Sequence, residues 1–428
     1  MKLDWLKTGI VLFLIIFLLA GVVYFQKPQK GDSPVTVTLA HDKGNLPVFQ
    51  ENFTLQGEKA KASIGIGINP IPSETTDLYR HQMMATLPTE QAPDLFIWWA
   101  TFRVKELVDS NFVGDITDLW DKYKDDYSKG MRDAFTIGDK VYGFPYVVEY
   151  WPVWYNKSIF ARLGLEPPKT WKEFIRVCEV LKSSGVTPIL SSLQTEWPAF
   201  IWFEEMIIGQ DPQLYKDLCL GKAKYTDPRV VAAFKVWQDM IKRGFFTDPS
   251  VNMLTNAGYL WNNEQFGMVL CGTWYYSAVL TAQGVDEKNI GTFILPSHNP
   301  DAGKNIIFEV GPIFNAKNAE NADAAKKVLD WWMGREGNGH FAKLHNAYPG
   351  NLKTDIDYLP PVKKQLLQTI KDDNYQVLNR YWEATPTPIC EKAVRKFGEF
   401  ILNPDSLEQI LQDIDVIADE YWAAHSNR

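Results

Sequence analysis

Strand and helix signals alternate along this chain from residue 35 to its end, and that alternation predicts an α/β fold. Two further observations divide the fold into two lobes. Roughly 395 residues remain after an apolar N-terminal segment, enough for two bodies of ordinary size. A stretch dense in aromatic and β-branched residues, 141–155 (VYGFPYVVEYWPVWY), reads as strand passing from one body to the other.

The first element is the apolar run at 9–25 (GIVLFLIIFLLAGVVYF), which carries no charge. Seventeen residues in a helix span about 25 Å, close to the hydrocarbon thickness of a bilayer. Lys2 and Lys7 precede the run, and no small-x-small cleavage site stands before Pro28. The pattern predicts residues 1–8 inside the cell, a retained single-pass anchor at 9–25, and a polar linker at 26–34. The bulk of the chain is then expected outside the cytoplasmic membrane.

Residues 35–40 (VTVTLA) alternate as a first strand, and 62–68 (ASIGIGI) as a second, closed by Asn69-Pro70. The segment 75–87 fits a helix. A buried strand follows at 94–98 (DLFIW), of the kind found in helix-covered parallel sheets. Helices are expected at 102–110 and 118–123. The helix at 170–183 is strongly signalled, with Thr170 as N-cap, Glu173 at the capping-box position and Gly185 beyond its end. Further helices are expected at 197–208, 227–243 and 256–263, and strands at 267–270 and within 305–314. Helices at 321–333, 360–370, 388–402 and 406–422 complete the chain.

Composition narrows the function. The net charge is −8, against nucleic-acid binding, which requires a basic stripe. Four cysteines lack C-x-x-C spacing and are expected to be buried free thiols. The six histidines match no metal-binding motif. His340 and His345 are five apart, poor spacing for one helical face, so neither metal nor cofactor is expected. Phosphate loops and the G-x-S-x-G nucleophile elbow are absent. Glu204 and Glu205 are adjacent and diverge by about 100° on a helix. They do not form a converging catalytic pair, and a solvated face is their expected place.

The distinctive feature is aromatic: 16 Trp, 18 Tyr and 24 Phe. A sugar ring has apolar C–H faces and an equator of hydroxyls. Its capture needs flat aromatic faces beside charged or amide groups that hydrogen-bond strongly. In open α/β folds ligands sit at the carboxyl ends of strands, in crevices between bodies. Trp98, Trp99, Trp151 and Trp274 each end or follow an expected strand. Glu149, Tyr150, Tyr275, Trp197, Glu309, Tyr348 and Asn351 complete the candidate ligand-binding set. For any single tryptophan core packing is an equal expectation. In a doublet such as Trp98-Trp99 one of the two faces the cleft.

The stretch YGFPYVVEYWPVWYNKSIFARLGLEPPKTWKEF resembles the family-1 extracellular solute-binding proteins of ABC importers. Their pattern is aromatic-Gly-x-Pro, a crossover, Tyr-Asn-Lys, Gly-Leu, Pro and Thr-Trp-x-Glu-Phe. It is matched by Tyr142, Gly143, Pro145, Tyr155, Asn156, Lys157, Gly164, Leu165, Pro168, Thr170, Trp171, Glu173 and Phe174. NNEQFGMVLCGTWYYSA is similar to the family's Phe-Gly, apolar run, Gly-x-Trp segment. Ala92-Pro93-Asp94 resembles its Pro-Asp-strand signature, and Gly311-Pro312 before the 321–333 helix is a further match.

The resemblance implies a two-lobed periplasmic-binding-protein fold, type II-like and similar to maltose-binding protein, with a hinge and an interlobe cleft. The expected lobes are 35–149 plus about 300–348, and 150–299 plus about 349–428. It implies a binding subunit, not an enzyme, that delivers a carbohydrate to ABC permease partners, with Trp274 stacking on the ligand and the crossover facing the cleft. One departure from the family concerns the anchor. Leu19-Ala20-Gly21 is followed by Val22 where a lipoprotein has cysteine, so thioether lipidation is excluded there and the helix itself is the expected tether. Three alternatives keep part of this reading: a binding protein for a cationic solute such as a polyamine, held by Glu149, Glu204 or Glu309; a tethered extracellular glycosidase; and a sensor subunit on the same fold.

Overall fold

A computed structural model describes residues 35–425, so the expected membrane span at 9–25 and its linker lie outside the described residues. No helix among the described residues is long and apolar enough to cross a membrane.

Strands are numbered in chain order: β1 (Thr36–His41), β2 (Gly67–Pro72), β3 (Leu95–Ile97), β4 (Thr136–Ile137), β5 (Lys140–Val141), β6 (Phe144–Tyr150), β7 (Val153–Asn156), β8 (Thr187–Leu190), β9 (Phe266–Leu270), β10 (Ile290–Phe293), β11 (Asn305–Asn315), β12 (Tyr348–Pro349) and β13 (Gln376–Asn379). One sheet runs β12–β6–β11–β3–β1–β2, with β13 pairing β11, and a second runs β10–β7–β9–β8. β1 is parallel to β2 and β3, while β11 runs antiparallel between β3 and β6. Helices cover both sheets, and the architecture is the two-lobed α/β arrangement expected from the alternation.

The aromatic stretch at 141–155 passes between the sheets. Tyr150 pairs with Phe308 in the first sheet, and Val153 pairs with Leu270 and Phe293 in the second. Trp151-Pro152 lies between, and proline, lacking an amide donor, ends the ladder there. Gly143 enters the stretch at φ 60°, and a Cβ on it would lie 2.4 Å from the Phe314 ring. Glycine is required on both counts. The chain crosses back between β10 and β11, where Ile294, Ile306, Leu366 and Ile370 form a small apolar cluster beneath helix Pro361–Asp372.

Local signals hold where the chain supplies its own cap. Thr170 and Glu173 form the reciprocal capping box of helix Trp171–Ser183. Asp94, buried before β3, accepts the Thr38 amide at 2.8 Å and the Asn321 amide at 3.0 Å. The Pro-Asp-strand segment thereby ties β3 to β1 and to the start of helix Ala322–Met333. All four cysteines are buried and free.

Two expectations are corrected. Residues 62–64, expected in a strand, are the last turn of helix Pro47–Ile64, which Gly65 ends in the left-handed conformation at φ 74°. That helix lacks a capping side chain and carries Gly57 in its middle, so local signals do not announce it. It forms because Phe49, Phe53, Gln56, Gly57 and Ala60, at helical spacing, bury one face. Glu204 and Glu205, expected on a solvated face, are both buried. Their helix, Ala199–Gln210, is apolar on all sides and buries 11 of its 12 residues, so the carboxyls are carried into the interior.

Candidate ligand-binding cleft

A solvent-open cleft of about 830 Å³ lies among the turn after β1, the start of helix Thr76–Thr86, the end of β3, the start of helix Ala199–Gln210 and the segment after β9. Trp99, Trp197, Trp274 and Trp382 line it with Phe200. Polar lining comes from Asp42, Lys43, Thr75, Thr76, Asp77, Glu196, Glu309 and Arg380.

The rings form a continuous aromatic wall. Trp99 meets Trp382 edge-on, with centroids 5.9 Å apart at 76°, and Phe200 stacks on Trp382 at 5.8 Å. Trp197 follows at 6.2 Å from Phe200, and Trp274 at 6.3 Å from Trp197. Trp274 is placed by Gly272: a Cβ there would lie 2.4 Å from the Trp274 indole nitrogen, so the Gly-x-Trp spacing lets the ring fold back over the backbone. Among the described residues the four cleft indole N–H groups meet no protein acceptor. Unlike those of the core tryptophans Trp98, Trp261 and Trp332, they are not sealed from solvent. Four hydrogen-bond donors are thus held open beside apolar faces.

Arg380 pairs with Glu309 and Lys43 with Asp42 inside the cleft, while Asp77 and Glu196 pair with Arg80 and Arg395 outside its lining. Arg380 Nη1 pairs with Glu309 Oε2 at 3.0 Å, and its Nε donates to Glu383 at 3.0 Å. Burial works against the Arg380 charge, but the two carboxylates more than offset it and raise its pKa. Burial also raises the Glu309 carboxyl, despite Arg380. The Trp151 indole donates to the same Glu309 Oε2 at 3.1 Å. Glu309 lines the cleft, and its Oε1 receives no donor among the described residues. Lys43 pairs with Asp42 at 2.9 Å, and the Thr76 hydroxyl donates to Asp42 at 2.9 Å. Burial opposes the Asp42 charge, and these partners outweigh it and lower its pKa.

Of the eleven candidate residues, Trp99, Trp197, Trp274 and Glu309 line the cleft. The other seven stand behind or away from it. Trp98 lies in the core, 4.8 Å from Trp99. Trp151 is buried beneath the Arg380 guanidinium, at 5.2 Å. Tyr275 is buried and donates to the Met253 carbonyl. Tyr150 packs on Phe308 and Tyr348, and the Tyr348 hydroxyl donates to the Lys363 carbonyl. Asn351 is buried and donates to the Met333 carbonyl at 2.9 Å. Glu149, on β6, accepts the Thr273 hydroxyl beside Trp274. Its burial pushes the carboxyl up to about 7, although Lys363 and Thr273 pull it down. Neither Glu204 nor Glu205 lines the cleft; Glu204 accepts the Tyr381 amide at 2.7 Å.

Arg380, Phe200, Asp42 and Lys43 belong to the cleft without a local sequence signal. Trp382 had one: Tyr381-Trp382-Glu383 pairs aromatics with a carboxylate. No group of side chains with metal-ligand character occurs among the described residues.

The model of the bacterial extracellular solute-binding protein family matches residues 5–339. An uncharacterised ABC transporter extracellular-binding protein of Pyrococcus horikoshii is 30% identical over 210 residues, 47% of this chain and 47% of that protein, so the match spans about half of this relative's length. The diacetylchitobiose binding protein of Streptomyces coelicolor is 24% identical over 233 residues, 51% of this chain and 48% of the relative. Among solved structures, the bacterial solute receptor AcbH, described as having an exclusive preference for β-D-galactopyranose, superposes with a TM-score of 0.82 at 20% identity, over 91% of this chain and 100% of that one. With the family model matching most of this chain and the two-sheet architecture in place, the chain belongs to the bacterial extracellular solute-binding proteins.

Proposed function

We propose that the protein is the extracytoplasmic binding subunit of an ABC importer and captures a neutral carbohydrate in the tryptophan cleft. The observation that carries this reading is the set of four cleft tryptophans whose N–H donors are open while the cleft's charged groups are paired within the protein. Sugar C–H faces pack on the rings, and hydroxyl oxygens accept from the open indoles. Glu309 Oε1 is the acceptor for a sugar hydroxyl. The sugars for which two similar proteins are named, diacetylchitobiose and β-D-galactopyranose, are uncharged and support the choice.

One lobe, 35–149 plus about 300–348, is built on the seven-stranded sheet, and the other comprises 150–299 plus about 349–428, apart from β13, which this last segment lends to the first lobe's sheet. The strand crossings at 150–153 and 294–304 are the hinge, and closure buries ligand between lobes. Residues 9–25 tether the protein to the membrane, where the permease receives the sugar.

Isothermal titration calorimetry against a panel of mono- and oligosaccharides tests the reading. Saturable binding of a neutral sugar is expected. Silence across the panel, with binding of a polyamine instead, would replace it.

A further inference from the structure

Two residues after Trp99 the backbone is strained. Thr101 has φ 54° and ψ −116°, a region that β-branched residues rarely adopt. Such a conformation persists only where its surroundings over-determine it. Here the Thr101 hydroxyl donates to the Glu383 carbonyl, and its amide donates to Ala134 at 3.0 Å. Arg103 follows and is wholly buried. Its Nε donates to the Trp382 carbonyl at 3.2 Å, and its Nη1 to Glu391 at 2.9 Å. The guanidinium carbon lies 4.2 Å from the Trp382 ring centroid and 5.6 Å from that of Trp99. Glu391 also pairs with Arg80.

The two arginines flank β3: Arg80 is on helix Thr76–Thr86 before it, and Arg103 on helix Phe102–Asp109 after it. Their partners lie at 382–391. Helix Thr387–Leu402, which carries Glu391, packs on helix Ala199–Gln210, which runs between β8 and β9 of the other sheet. Trp382 follows β13, which belongs to the same sheet as β3, so the Arg103–Trp382 contact lies within one body, whereas the Glu391 contacts reach the helices of the other beside the cleft. A guanidinium over one face of Trp382 is attracted by the ring's quadrupole and leaves the ring edge, with its open N–H, toward the cleft.

We infer that Arg103 is a positioning residue for ligand capture, which holds Trp99 and Trp382 edge-on at 76° and, with Arg80, straps Glu391 and the helix that carries it beside the cleft. The inference rests on the reading of the cleft as a sugar site. Moving the bodies apart separates Arg80 and Arg103 from Glu391 and leaves Arg103 on Trp382. Ligand release is therefore slow while the strap is made.

The test uses the full chain with Arg103→Lys, Arg103→Met and Glu391→Gln. Near-ultraviolet circular dichroism of the ligand-free protein reads the Trp99–Trp382 arrangement, with Trp382→Phe identifying its band. Stopped-flow fluorescence reads dissociation of galactose and of diacetylchitobiose. Arg103→Met is expected to lose the band and release sugar at least tenfold faster. Arg103→Lys should recover part of both. Glu391→Gln, which keeps the side-chain shape, is expected to behave like Arg103→Met and carries the test if that variant does not fold. Folded variants with the wild-type band and the wild-type dissociation rate would overturn the inference. If neither probe binds the wild-type protein, the sugar reading fails for these probes, and the band alone decides: its persistence in Arg103→Met overturns the strap.

Discussion

Arg380 Nη1 stands 3.0 Å from Glu309 Oε2, on the floor of the cleft, while its Nε holds Glu383 at 3.0 Å. One guanidinium thus serves two carboxylates, the buried Glu383 and the half-buried Glu309. Removing it leaves both unpaired in a low-dielectric site. Arg380→Met is expected to destabilise the fold by about 3–5 kcal/mol, read as a lower urea midpoint. Arg380→Lys should recover only part of this, because an ammonium cannot reproduce the planar fork.

Cleft and core tryptophans should respond differently. Trp274→Ala removes a ring that lines the cleft, and a loss of about 1–3 kcal/mol in sugar affinity is expected by calorimetry. Trp98→Phe alters a ring sealed in the core behind Trp99. It should lower the thermal midpoint and leave affinity within about twofold of wild type.

Charge in the ligand should be rejected. The cleft cations Lys43 and Arg380 are already paired, and the free oxygen of Glu309 is negative. A uronic acid is expected to bind at least about tenfold more weakly than the corresponding neutral sugar, about 1.4 kcal/mol. Parallel titrations of the two sugars read this directly. Equal affinities would mean that a cation reaches the ligand.

Glu205 predicts a pH dependence. Burial alone raises its carboxyl from 4.5 to about 8. Between those values the unfolded chain has released its proton and the folded protein retains it. The folded state then binds more protons, so stability falls as pH rises through that window. Glu205→Gln cannot ionise. Its stability relative to wild type should grow by on the order of 3 kcal/mol between pH 5 and 8, measured by urea denaturation at each pH.

The N-terminal segment makes a prediction about location. Expressed whole, the protein should sediment with membranes. A form lacking residues 1–34 but still exported should appear in the soluble extracytoplasmic fraction. Sedimentation of that form with membranes would point to a second attachment.

Much of the architecture was legible because its causes are local. Thr170 and Glu173 supply a complete cap, and the crossover announces itself by β-branched and aromatic density broken at Pro152. Helix Pro47–Ile64 was not legible, because its buried face exists only against the rest of the fold. Glu204 and Glu205 show the same limit: carboxylates suggest solvent, yet an all-apolar helix carries them inside.

For the cleft, the sequence by itself determined the chemistry: an excess of tryptophan at strand ends, a Gly-x-Trp segment, no metal motif and no basic stripe. Tertiary structure alone decided which rings line the cleft. Within the doublet Trp98-Trp99, just past the end of β3, one ring goes to the core and the other to the cleft. Which one goes where depends on the face that Tyr79 and Phe96 already occupy. Arg380 and Trp382 join the cleft from more than 100 residues beyond Trp274, brought there by the pairing of β13 with β11. A side chain's chemistry is its own, but its neighbours across the cleft come from distant parts of the chain, and only packing brings them together.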